Sequence, residues 1–201
     1  MRGSIFVLIW LVCRAALADV VDVTIETRSL AGTTGVLVFD LIDGDGIPDN
    51  SVTITGYQSD GILLGPPVLT GGGSGDLSSS ANLTDRNFFN ELAAPLTLGN
   101  QIQFTLDATH NFAGGVPDNL SLFLLDPTGQ NSLVATNITG DALFSLDLNG
   151  TPVQAATEIS PGLSVTIGAP LSAVPEPSSL YLFAGSLVAL MLGRGLVQRS
   201  R

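Results

Sequence analysis

In the stretch DLIDGDGIPDN (residues 40–50), four of the oxygen-bearing side chains gather around Gly46: Asp43, Asp45, Asp49 and Asn50. Carboxylate and amide oxygens on a tight glycine turn are hard ligands of the kind Ca²⁺ takes. They make these four residues the candidate metal site, and Ca²⁺ the one cofactor the sequence offers. The competing reading is a polar hairpin loop between VLVFDLI and SVTITGY, with no cofactor at all. An EF-hand does not fit, because Leu41 stands at the first ligand position when Gly46 is taken as the sixth.

This loop resembles the D-x-D-G-x-x-D-N core of thrombospondin-type calcium repeats, which implies Ca²⁺ on the same four residues. Those repeats occur in tandem, whereas this loop occurs once, and no internal repeat is evident elsewhere. Other chemistry is thin. Cys13 is the only cysteine and His110 the only histidine, so a His-activated nucleophile would have to use His110. That residue lies in DATHNFAGG at an expected strand end, where a structural or solvated role is ordinary. Ser74 in GGGSGD is no nucleophile elbow, because Asp76 takes the place of the last glycine of G-x-S-x-G. Carboxylates are plentiful enough for a glycosidase pair. The region 19–174 nevertheless has no tryptophan and a single tyrosine, Tyr57, to serve as a sugar platform.

Charge narrows the partners. The chain has 201 residues, a net charge of −11 and no lysine. Between Asp19 and Val174 stand 17 acidic residues against two basic ones, Arg28 and Arg86, so the middle carries −15. Such a polyanion repels nucleic acid and anionic lipid and attracts divalent cations. The other arginines, Arg2, Arg14, Arg194, Arg199 and Arg201, all lie at the ends.

The elements that would hold these residues are strands. VDVTIETR, GVLVFDLI, SVTITGY, QIQFTLDAT, NLSLFLLD, ALFSLDLNG and LSVTIG alternate apolar and polar residues with period two. Between them DGDGIPDN, GPPV, TGGGSGD, GGVPDN and DPTGQN read as turns. Only DRNFFNEL (85–92) reads as a helix, capped by Asp85 with Phe88, Phe89 and Leu92 on one face. The expected fold is all-β, an antiparallel β-sandwich, with a jelly roll as one form of it.

The two ends read as addresses. MRGSIFVLIWLVCRAALADV has an arginine, an apolar run from Ile5 to Cys13 and the small-x-small site Ala16-Leu17-Ala18, which is the pattern signal peptidase cleaves. The mature chain would start at Asp19, without cysteine. At the other end, Leu180–Leu192 is uncharged and is followed by Arg194, Arg199 and Arg201. A transmembrane helix with its arginines on the cytoplasmic side fits this order. Pro175-Glu176-Pro177 just before it holds the chain extended, open to a processing enzyme.

This tail resembles the PEP-CTERM sorting signal of Gram-negative bacteria, carried by Pro175, Glu176, Pro177, the following Ser178 and Ser179, the apolar run and the arginines. The resemblance implies recognition by exosortase, a membrane transpeptidase, after transient anchoring in the inner membrane. It also implies delivery to the cell surface or an exopolysaccharide matrix. The middle is similar to ectodomains that such tails commonly carry, on GDGIPDNSVTITGY, GGGSGDL, NFFNEL and DNLSLFLLD. The expected organisation is a signal peptide at 1–18, a β-sandwich ectodomain at 19–172 and the sorting signal at 173–201. The expected function is that of an exported, non-enzymatic structural protein of a surface, matrix or biofilm. A Ca²⁺-dependent adhesion module and a secreted glycoside hydrolase stand as alternatives.

Overall fold

Period-two alternation leaves one face of each strand with nothing but apolar side chains, and that face has to meet another like it. The computed structural model describes residues 18–149, 151, 153–157 and 161–168. Its strands are β1 (Ala18–Glu26), β2 (Thr34–Ile42), β3 (Ser51–Ser59), β4 (Ile62–Leu63), β5 (Val68–Thr70), β6 (Gly73–Asp76) and β7 (Ser80–Thr84). They continue with β8 (Phe89–Thr97), β9 (Gln101–Thr109), β10 (Asn119–Leu125), β11 (Phe144–Asp147), β12 (Gln154–Ala155) and β13 (Ser164–Ile167). Among the described residues there is no α-helix, and no helix long and apolar enough to cross a membrane. The signal-peptide residues up to Leu17, including Ala16, lie outside the described residues, as do Pro175, Glu176, Pro177, Arg194, Arg199 and Arg201.

The strands form two antiparallel sheets. One has the order β13-β1-β9-β3-β7-β6, and the other β12-β11-β10-β2-β8-β4, with β5 also pairing β8. Ile102, Phe104, Leu106 and Ala108 of β9 face inward from the first sheet, and Leu37, Phe39 and Leu41 of β2 from the second. The two layers meet directly where the rings of Phe39 and Phe104 pack edge to face, their centroids 5.3 Å apart. Truncating a fully buried ring such as Phe39 to alanine removes on the order of 3–5 kcal/mol. Two antiparallel sheets around one core are the arrangement of a β-sandwich.

Two expectations are corrected. DRNFFNEL is no helix: residues 85–88 turn, and β8 begins at Phe89. Asn90, Leu92, Ala94 and Leu96 form a buried period-two row that the helical reading cut in half. Pairing β8 with β2 from Ile42↔Phe89 to Thr34↔Thr97 outweighs the short helical pattern. TGGGSGD is likewise more than a turn, because β6 pairs with β7 from Gly73↔Leu83 to Asp76↔Ser80.

Register gathers the functional loops at one end. Ile42 lies opposite both Asn119 and Phe89, Ser51 opposite Thr84, and Ala18 opposite Thr109. The connections 43–50, 85–88 and 110–118 therefore emerge together.

Candidate cation site at one loop end

Hydrogen bonds from side chains fasten these three connections to one another. Asp118, just before β10, accepts from the Gly44 amide at 2.7 Å and from the Asn50 side-chain amide at 2.8 Å. Asp85, just after β7, accepts from the backbone amides of Asp49 at 3.0 Å and Asn50 at 2.6 Å. The Asn50 amide group also donates to the Asn111 carbonyl, while its oxygen accepts from the Asn111 amide and the Thr109 hydroxyl. Asn111 in turn donates to the Asp49 carbonyl at 2.6 Å. The contact is close at Gly44, where an added Cβ would run into the carbonyl oxygen of Pro117.

Within this clasp the carboxylates form two overlapping clusters. Oxygens of Asp43, Asp45 and Asp118 lie within 4.8 Å of one another, and so do oxygens of Asp49, Asp85 and Asp118. Asp85 and Asp118 are each 2% exposed. Arg28 pairs with Glu26, at the far end of β1 from these five acids. Burial, opposed by the two backbone amides and reinforced by Asp118, pushes Asp85 up to about 6. Asp49 is raised too, by lost hydration first and then by the negative charges of Asp45, Asp118 and Asp43. Buried like charges this close favour either a bound proton or a bound cation.

Of the residues picked out by sequence, Asp43, Asp45 and Asp49 all join these clusters. Asp43 and Asp45 also cap their own loop, accepting from the amides of Gly46 and Ile47 respectively. Asn50 sits beside them, 3% exposed, and its oxygen is already held by two donors. The structure adds Asp85 and Asp118, whose local sequence reads as a helix cap and part of a turn. A signal for Asp118 was present, and it corrects the view that nothing repeats. Gly46-Ile47-Pro48-Asp49-Asn50 recurs as Gly115-Val116-Pro117-Asp118-Asn119, each copy leading into a strand.

Elsewhere, Asp40 of β2 stands directly opposite Glu91 of β8 on the outer face of their sheet. One Asp40 oxygen is buried and has no hydrogen-bond partner. Burial, then the Glu91 charge, pushes Asp40 up to about 7. Glu91 is raised as well, by burial. Ser74 lies in β6, and half-buried His110 follows the last residue of β9. A depression of about 430 Å³ at the opposite end is lined by Glu26, Arg28, Asp60 and three glutamines. Its carboxylates are engaged, Glu26 with Arg28 and Gln101, Asp60 with Asn100.

No family model, no curated protein and no solved structure matches this chain.

Proposed function

We propose that the chain is an exported, non-enzymatic protein of the cell surface or extracellular matrix, built as a sandwich between two processed ends. Signal peptidase removes residues 1–18. The apolar tail then holds the protein in the inner membrane until exosortase acts at Pro175-Glu176-Pro177. The observation that carries this reading is how the folded unit fills the interval between those ends. Strand β1 opens at Ala18 and β13 closes at Ile167, with Pro175 eight positions further on. Cleavage after Ala18 would take only the first residue of β1, the partner of Thr109, and trimming beyond Ile167 would leave β13 intact. Amino-terminal sequencing of exported protein tests the first step: the reading requires a start at Asp19, and a start at Met1 removes it.

A second reading, a Ca²⁺-dependent binding or adhesion module, is favoured by the convergence of Asp43, Asp45, Asp49, Asp85 and Asp118. The neighbour order β1-β9-β3-β7 beside β2-β8-β4 supports a jelly-roll form of the sandwich, an architecture that lectin domains also use. Fold alone assigns no ligand. The acidic clusters are what make exopolysaccharide bridged by Ca²⁺ the partner to try first. For the glycoside hydrolase alternative, Asp40 and Glu91 are the carboxylate pair to mutate.

A further inference from the structure

Among the described residues nine large apolar side chains are well exposed, and they fall into two groups. Ile62, Leu64, Val68 and Leu69 run along the β4–β5 edge. Ile47, Phe88, Phe112 and Val116 lie on the three connections at the acidic loop end and Phe89 at the adjoining start of β8, with Phe88 at 74% and Val116 at 66%. These tips are held in place. The Asp43 amide donates to the Phe88 carbonyl at 3.0 Å, and the loops carrying Ile47, Phe112 and Val116 are bonded through Asn50, Asn111 and Asp118. Ile47 and Val116 occupy the same place in the repeated pentapeptide, before its proline.

We infer that this loop end is a lipid-facing surface that seats Ile47, Phe88, Phe112 and Val116 in the interfacial layer of a zwitterionic bilayer. The inference rests on the proposed anchoring of the tail, because the path of the chain gives the direction. Strand β1 starts at this end, with Ala18 opposite Thr109. Strand β13 runs from Ser164 opposite Glu26 to Ile167 opposite Val23, so the chain leaves the sheet heading toward the same end. Leu180 is twelve residues beyond Gly168, which allows at most about 40 Å of extended chain. A tether that short holds the folded unit at high effective concentration at any membrane holding the tail, and the exit beside Asp22, directed toward the loop end, is what singles out that end.

The apolar tips suit lipid rather than ring stacking on a sugar, while Ca²⁺ bridging of a polysaccharide would use the carboxylates beside them. Ile47 and Val116 offer no ring to stack on a pyranose, and neither phenyl ring carries the polar edge that sugar platforms use. Exposed Arg86, two residues before Phe88, can extend to a lipid phosphate while its stem lies along apolar surface. The five carboxylates at this end oppose an anionic surface, which leaves zwitterionic headgroups as the match.

The test uses the full chain, with Cys13→Ser as background, reconstituted into phosphatidylcholine vesicles carrying a headgroup quencher. A fluorophore is placed on Asn87→Cys at the loop end or on exposed Gln130→Cys at the far end. Flotation reads anchoring separately. The inference expects floating protein whose label at 87 is quenched several-fold more than the label at 130. That difference shrinks with anionic lipid and is lost in a Phe88→Ala/Phe112→Ala variant that melts as the parent does. Floating protein with equal quenching at both positions overturns the inference and leaves the anchor standing. Protein that does not float overturns both. Energy transfer between labels at 87 without lipid quenching assigns the surface to self-association and overturns the inference as well.

Discussion

The side-chain amide of Asn50 donates to Oδ2 of Asp118 at 2.8 Å, clasping two copies of one pentapeptide across 68 residues of chain. The clasp ties the entry of β3 in one sheet to the entry of β10 in the other, and it brings the carboxylates of both loops together. Asn50→Ala removes this bond with those to Asn111 and Thr109, and leaves Asp118 buried with fewer donors. A loss of about 2–4 kcal/mol is expected, read as a lower urea midpoint with an unchanged m-value. A midpoint equal to the parent's would show that the clasp contributes nothing.

Gly44→Ala tests the same junction sterically. A methyl group at this position meets the Pro117 carbonyl, so the two loops have to part. The expected cost is about 1–3 kcal/mol, as for other overpacked sites. The Gly65→Ala change, which meets open space, is the matched control and leaves the melting temperature nearly unchanged.

The strands were legible because period-two burial leaves a direct trace, as in Ile102, Phe104, Leu106 and Ala108. The helix assigned to DRNFFNEL failed because Phe88, Phe89 and Leu92 mimic a helical face over eight residues. Nothing local reveals that β2 supplies a nine-residue partner for the segment. The acidic loop could be read from its own spacing. Asp85 could not, since it enters the cluster through tertiary pairing of β7 with β3. Asp118 was within reach through the repeated G-(I/V)-P-D-N. The Asp40–Glu91 pair was not, because cross-strand register is a property of the folded sheet.

Acid should stabilise the protein down to about pH 4. Asp40 is raised to about 7 and Asp85 to about 6, against an unfolded carboxyl near 4. The folded state therefore binds protons more tightly between about pH 4 and 7, and stability falls as pH rises through that window. Hydrogen bonds hold Asp60, Asp76 and Asp126 below the ordinary range. Their contribution is present above the unfolded value and is lost as pH falls below it, so the trend reverses in stronger acid. Melting at pH 5 should exceed melting at pH 8 by several degrees. Asp40→Asn should raise the pH 8 value and flatten the slope, leaving the part due to Asp85. A profile unchanged by Asp40→Asn would remove this account.

Calcium at millimolar concentration should raise the melting temperature by mass action if the clusters bind it. Asp45→Ala should abolish that gain while costing little in its absence, since Asp45 makes only a local bond to the Ile47 amide. The shift should also fade toward pH 5 as Asp85 takes up its proton. Titration calorimetry checks the binding directly, and no heat with no thermal shift would leave the loop end as a hydrogen-bonded clasp alone.

The proposal that the chain is sorted and trimmed is tested most directly by mass spectrometry of protein released from the cell surface. Peptides should begin at Asp19 and stop short of Leu180. The Glu176→Ala variant should be exported but retained at full length in the inner membrane, because it lacks the carboxylate presented between two prolines. Surface-released protein that still contains peptides from Leu180 onward, in wild type and variant alike, would contradict the proposal.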